Sequence, residues 1–177
     1  MKHTITLREK DYLTYQLYEY STNPLRTFKR KRDYLVLVVL GVVFTLASYS
    51  RSDQVIFYVT AFLTAIWILF GKNYLRWRYK KHFAKHVKNT FKDAIERQVQ
   101  IEITEDTIIT TDKIGVNTVK ISEVKQVSEI PEHFLIIIST GEALIVPKQS
   151  AELNEDIAKM AKREHILALN EMYWKWR

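Results

Sequence analysis

Side chains able to do chemistry are few in this chain and widely spaced. No cysteine occurs among its 177 residues, which removes thiolate nucleophiles, disulfides and zinc sites that need thiolates. There is no G-x-S-x-G elbow, no H-E-x-x-H and no phosphate-cradling glycine loop, and the chain holds only 4 glycines in all. His82 and His86 stand at i and i+4, a spacing at which two imidazoles reach one metal ion. No third ligand lies close in sequence and lysines flank both, so they read as a solvated or headgroup-facing pair. Glu129 and Glu132 flank Pro131 beside His133, which reads as an exposed, solubilising turn rather than an acid–base pair. The expectation is a non-enzymatic chain without metal or cofactor.

The residues that stand out are cations. The formal net charge is +7, a balance that suits nucleic acid or anionic lipid. Lys29, Arg30, Lys31 and Arg32 form a run directly before one apolar stretch, and Lys72, Arg76, Arg78, Lys80, Lys81 and Lys85 follow another. Cations bracketing apolar runs favour lipid headgroups over nucleic acid, each worth about 1 kcal/mol near an anionic surface. The expected headgroup contacts are Lys29, Arg30, Lys31, Arg32, Lys80, Lys81 and Lys85, with Lys148 as a more remote candidate. Taken singly, each also has a plain role as a topology signal or solubilising charge.

The elements that must position these cations are the two apolar stretches themselves, residues 34–50 and 54–71, neither of which contains a charge. Each matches the roughly 17 to 25 residues that cross a ~30 Å hydrocarbon core. They predict a transmembrane helical hairpin turning at Arg51, Ser52 and Asp53. A cleaved signal peptide is disfavoured by the long charged leader and by the second stretch. A buried hairpin in a soluble protein would need a larger surrounding core than the charged remainder provides. The flanking Lys and Arg place both termini on the cytoplasmic side. Gly41 with Thr45 and Ala61 with Ala65 repeat at four residues, which lets two helices approach closely, within the hairpin or between copies. Neither stretch carries a carboxylate, which argues against an ion pathway.

Around the hairpin the pattern is mixed. Residues 2–7 alternate as a strand, and Thr6 to Glu9 has capping-box spacing before a helix over about 7–20. Pro24 ends that helix. After Gly71, the apolar residues Leu75, Tyr79, Phe83, Val87, Phe91 and Ile95 recur every fourth position, predicting an amphipathic linker helix over 72–97. Short β-rich runs follow at 99–103, 107–111, 116–121, 124–128, 134–139 and 143–146, separated by turn residues. They predict an antiparallel meander, a small sheet or partly closed barrel, with Gly141 in a hairpin turn and Pro147 ending the last strand. Ser150 caps a final helix whose apolar side is Leu153, Ile157, Met160, Ala161, Leu167 and Ala168. The aromatic and basic tail over 172–177 suits the membrane interface and packing on the protein equally well. The segments are thus 1–33, 34–71, 72–97 and 98–177. The lone strand at 2–7 needs a partner on its own side of the membrane, so it is expected to complete the C-terminal sheet.

This order of elements resembles the YcxB-like family of bacterial membrane proteins. The resemblance is carried by residues 99–150, especially Ile101-Glu102-Ile103-Thr104-Glu105-Asp106, Lys120-Ile121-Ser122-Glu123-Val124 and Ala143-Leu144-Ile145-Val146-Pro147-Lys148. It implies a pleckstrin-homology-like soluble part, a bent sheet with a C-terminal helix, and a place in the bacterial cytoplasmic membrane. It implies no catalytic residues. The expected class is therefore an α+β membrane protein, a two-helix hairpin with a cytoplasmic β meander closed by a helix. Its expected role is a tethered interaction or regulatory module contacting the anionic inner leaflet and a protein or peptide partner, with self-association open. A membrane-stress or bacteriocin-immunity protein is the alternative.

Overall fold

The computed structural model describes residues 2–50 and 54–176. The chain divides into two units, one made of the residues up to Gln16 together with His86–Trp176, the other of Leu17–Lys85. The expected turn at Arg51, Ser52 and Asp53 lies outside the described residues.

Strand β1 (Lys2–Leu7) opens the first unit and buries His3, Ile5 and Leu7 while turning Lys2 and Thr4 outward. Helix α1 (Glu9–Thr22) follows. It does not use the capping box read at Thr6 to Glu9, because Thr6 belongs to a strand ladder and its amide is taken by Gln149 Oε1 at 3.3 Å. Asp11 caps instead, its Oδ2 accepting the Arg8 amide at 2.7 Å. Asn23 then accepts the amides of Leu25 and Arg26 at 3.0 and 3.2 Å, and Pro24 takes the first helical position, where its missing N–H costs nothing. Pro24 thus begins helix α2 (Pro24–Ser50) as well as following the end of α1, and the basic run is helical.

Helix α3 (Gln54–Thr90) joins the second apolar stretch to the basic segment without a break. Both α2 and α3 are long and apolar enough to cross a membrane. Only 6% of the most apolar window of each is buried, the reverse of a core helix in a soluble domain. Phe44, Val55 and Leu69 are 64%, 74% and 70% exposed. The two helices pack antiparallel: Tyr34 Oη donates to the Ile68 carbonyl at 3.0 Å, Tyr49 and Phe57 rings lie 5.6 Å apart, and Gly41 faces Thr64. Beyond Gly71, Leu75, Tyr79 and Phe83 are half-buried while Lys80, Lys81 and Lys85 are exposed. The helix stops at Thr90, so Phe91 and Ile95 do not extend its stripe: Phe91 stacks on Tyr12 at 4.7 Å, and Glu96 turns the chain with φ 63°.

The expected single meander is two four-stranded sheets. In the first, β1, β2 (Arg97–Ile103), β3 (Thr107–Thr111) and β4 (Val116–Lys120) lie in that order, all antiparallel. Residues 2–7 pair with 97–102, from Lys2 opposite Glu102 to Leu7 opposite Arg97. A 3-10 turn over Ile121–Glu123 then takes the chain out of this sheet, with Ile121 buried and its amide held by the Asp106 carbonyl at 2.8 Å. The second sheet runs β7 (Ala143–Pro147), β6 (His133–Ile138), β5 (Val124–Ile130) and β8 (Leu167–Asn170). Gly141, at φ 89°, supplies the left-handed residue of the β6–β7 turn.

Helix α4 (Ala151–Arg163) is capped by Ser150, which accepts the Leu153 amide, and buries Leu153, Ile157, Met160 and Ala161. It ends earlier than read. His165 adopts φ 52°, and Leu167 and Ala168, assigned above to the helix, run in β8 parallel to β5. Pro147 ends β7 as expected, but the helix is not the last element of the domain, because β8 follows it. Ile5, Ile101 and Ile108 of the first sheet, Leu135 and Val146 of the second, and Leu153 and Ile157 of α4 form the buried core.

Candidate functional site

The first turns of α2 carry the basic run, and the segment of α3 after its apolar stretch carries the second group of cations. Four of them meet. Arg30 and Lys31 on α2 and Lys72 and Arg76 on α3 line one cleft of about 450 Å³, with Tyr34, Leu35 and Leu75 supplying its apolar surface. It lies where the charge-free runs of both helices give way to charge. Tyr34 organises it: its hydroxyl is satisfied by the Ile68 carbonyl, and the Lys72 ammonium sits 5.4 Å from the centre of its ring. Nearby, Arg26 pairs with Glu19 at 3.1 Å. Burial and a hydrogen bond with Tyr79 push the Tyr20 hydroxyl up to about 12, against the pull of Arg30 and Arg26. Tyr20 therefore stays a neutral phenol beside these guanidiniums.

The other expected contacts are spread out. Arg32 pairs with its neighbour Asp33 at 3.1 Å. Lys29, Lys80 and Lys85 are exposed, and Lys81 lies 5.1 Å over Trp77. Lys148 belongs to the β-sheet unit, where it bonds Glu129 at 2.7 Å, reaches Met172 Sδ at 3.1 Å and sits 4.9 Å over Phe134, with 16% of its side chain exposed. Lys72 and Arg76, read in the sequence only as topology markers, are thus brought beside Arg30 and Lys31. The signal was available: they stand at i and i+4 just after the second apolar run, with Leu75 between them.

The turn around Pro131 also differs from its expected character. Ile130 and His133 pair across a two-residue turn, and Glu129 lies within β5. His133 is 1% exposed and its Nε2 donates to Asp11 Oδ1 at 2.8 Å. Burial opposes ionisation of Asp11, but bonds from His133 and the Arg8 amide, with the charges of His133 and Lys10, outweigh it and hold its pKa below the ordinary value of 3.8. Nothing in the local pattern announced this pair, whose members are 122 residues apart. A second clasp joins His3 Nε2 to Asp156 at 3.1 Å. His82 and His86 are exposed, and no group of three or more metal-binding side chains occurs among the described residues.

Residues 103–160 match the family model described as YcxB-like protein. The match runs from the end of β2 to Met160 in α4 and overlaps the stretch on which the resemblance was read. Over that stretch the chain is similar to this family. No curated protein and no solved structure matches the chain.

Proposed function

We propose that the chain is a non-enzymatic module anchored in a bacterial cytoplasmic membrane by α2 and α3, with both termini cytoplasmic, and that its basic cleft holds the headgroup of an anionic lipid. The observation that carries this reading is the cleft itself: four cations converge beside Tyr34, Leu35 and Leu75 at the charged end of two exposed apolar helices. A phosphate between Arg30, Lys31, Lys72 and Arg76 gains charge-assisted bonds, while Leu35 and Leu75 offer apolar surface to the start of an acyl chain. The excess of Lys and Arg beside the spans favours the cytoplasmic side. Two four-stranded sheets with α4 are the support for a pleckstrin-homology-like interaction domain.

The test uses the full chain in nanodiscs containing neutral and anionic phospholipid. The variant R30Q/K31Q/K72Q/R76Q should still insert but lose the enrichment of anionic lipid that native mass spectrometry detects on the parent chain. Enrichment equal to that of the parent sinks the headgroup assignment. Sidedness is read separately, and the absence of cysteine makes that clean. In intact spheroplasts an impermeant maleimide should label S52C and leave Y173C unlabelled until the cells are opened.

A further inference from the structure

The cleft between α2 and α3 is built from two similar halves. Helix α2 brings Arg30 and Lys31 to it and helix α3 brings Arg76 and Lys72, so each helix supplies one guanidinium and one ammonium. Each also supplies one leucine, Leu35 from α2 and Leu75 from α3. The halves are pinned to each other through Tyr34. Its hydroxyl donates to the Ile68 carbonyl of α3 at 3.0 Å, and the Lys72 ammonium lies 5.4 Å from the centre of its ring. One side chain of α2 thus holds both the backbone and a cation of α3.

The charge of the cleft says how much anion suits it. No carboxylate lines it, so its lining carries charge of one sign. Among the described residues of the unit that holds both helices, Leu17–Lys85, the only carboxylates are Glu19 and Asp33. They pair with Arg26 and Arg32, each at 3.1 Å, and neither of those arginines lines the cleft. A headgroup with one phosphodiester brings a single negative charge against four cations. A guanidinium offers phosphate oxygens a planar fork and an ammonium a mobile point charge, so one Arg with one Lys already makes a full set of donors for one phosphate. Two such sets side by side match two phosphates, the kind of headgroup that basic pockets between membrane-spanning helices hold.

We propose that the lipid this cleft selects is a bis-phosphatidyl lipid, two phosphodiesters joined by a short polar bridge. Arg30 and Lys31 take one phosphate, Arg76 and Lys72 take the other, and Leu35 and Leu75 lie against the acyl chains. The assignment rests on the headgroup reading and narrows it from one phosphate shared by four cations to two phosphates, each held by a pair. Once the first phosphate is seated, the second reaches its half of the cleft as part of the same molecule. The preference over a lipid with one phosphate therefore exceeds what added charge alone would give.

The full chain is placed in nanodiscs of neutral phospholipid containing either phosphatidylglycerol or cardiolipin, matched in total headgroup charge, and the lipid retained on the protein is counted by native mass spectrometry. The parent chain should retain cardiolipin at least about tenfold more strongly than phosphatidylglycerol. R30Q/K31Q and K72Q/R76Q each leave one half intact, so either variant should still retain both lipids while its preference falls to about twofold, the statistical advantage of carrying two phosphates. Equal retention of the two lipids by the parent, both above neutral lipid, overturns this inference and leaves the headgroup reading standing. Enrichment of neither anionic lipid overturns both. A full preference that survives in either variant also overturns it, since that half would then be idle. In a third disc cardiolipin competes with an equimolar polyprenyl diphosphate, whose phosphates are joined directly. Displacement of cardiolipin there would assign the cleft to a compact pyrophosphate and overturn the bis-phosphatidyl assignment. If a variant fails to insert, the preference of the parent and the competition decide alone.

Discussion

At Asp11 one carboxylate does two structural jobs, capping α1 through the Arg8 amide and orienting His133 in β6. Its pKa is lowered in the folded chain, so its ionised form stabilises the fold at pH values above the unfolded pKa. That contribution disappears as pH falls through the still lower folded value. Asp11→Asn should cost about 1–3 kcal/mol at neutral pH and flatten the acid limb of stability below the ordinary value of 3.8, as read by thermal unfolding across that range. A variant with an unchanged acid limb would show that other carboxylates govern it. The sequence made the cationic residues visible because runs of Lys and Arg are local. It hid Asp11 and His133, since each looks like an ordinary surface residue until the chain closes.

Among the elements, the pairing of α2 with α3 turns on one small residue. A Cβ built on Gly41 would lie 2.6 Å from Thr64 Oγ1 and 3.0 Å from its Cγ2, so the facing side chain as a whole must yield. Gly41→Ala should weaken the helix pair by about 1–3 kcal/mol, the usual range for overpacking. Thr64→Ala on the same chain should recover most of that loss, as measured by unfolding in SDS titrations. Absence of rescue would place the cost elsewhere than in this contact. The small-residue spacing made this contact legible. The break between the sheets was not: Ile121 continues the β-like run that precedes it, yet it opens the 3-10 turn that takes the chain out of the first sheet. The same holds for β8, whose apolar Leu167 and Ala168 fit a helical period as well as a strand. The left-handed conformation of His165 decides between them.

For the whole molecule, the decisive strand is the first. Removing residues 2–7 takes away the buried Ile5 and Leu7, each worth roughly 1.5–3 kcal/mol, together with an entire ladder against β2. That loss approaches the 5–15 kcal/mol by which a typical domain is stable. The truncated chain should keep both long apolar helices while its β-rich unit becomes open to protease, and limited proteolysis in micelles reads this directly. A unit that stays resistant would mean β2 finds another partner. Two His–Asp clasps, His3 with Asp156 and Asp11 with His133, and the paired bonds between Thr6 and Gln149, tie the same N-terminal segment to the C-terminal one.

The ladder between β1 and β2 also sets a clock on biosynthesis. Leu7 leaves the ribosome long before Arg97, its partner in the register. At about 5–20 residues per second the interval is on the order of 5–18 s, and both long apolar helices are made within it. The first strand must wait for its partner while the two long apolar segments are made. A stalled nascent chain would present a bare N-terminal strand, whereas a finished one withdraws it into the sheet. Burial of the N-terminal strand is thereby a late event, complete only once β2 has been made.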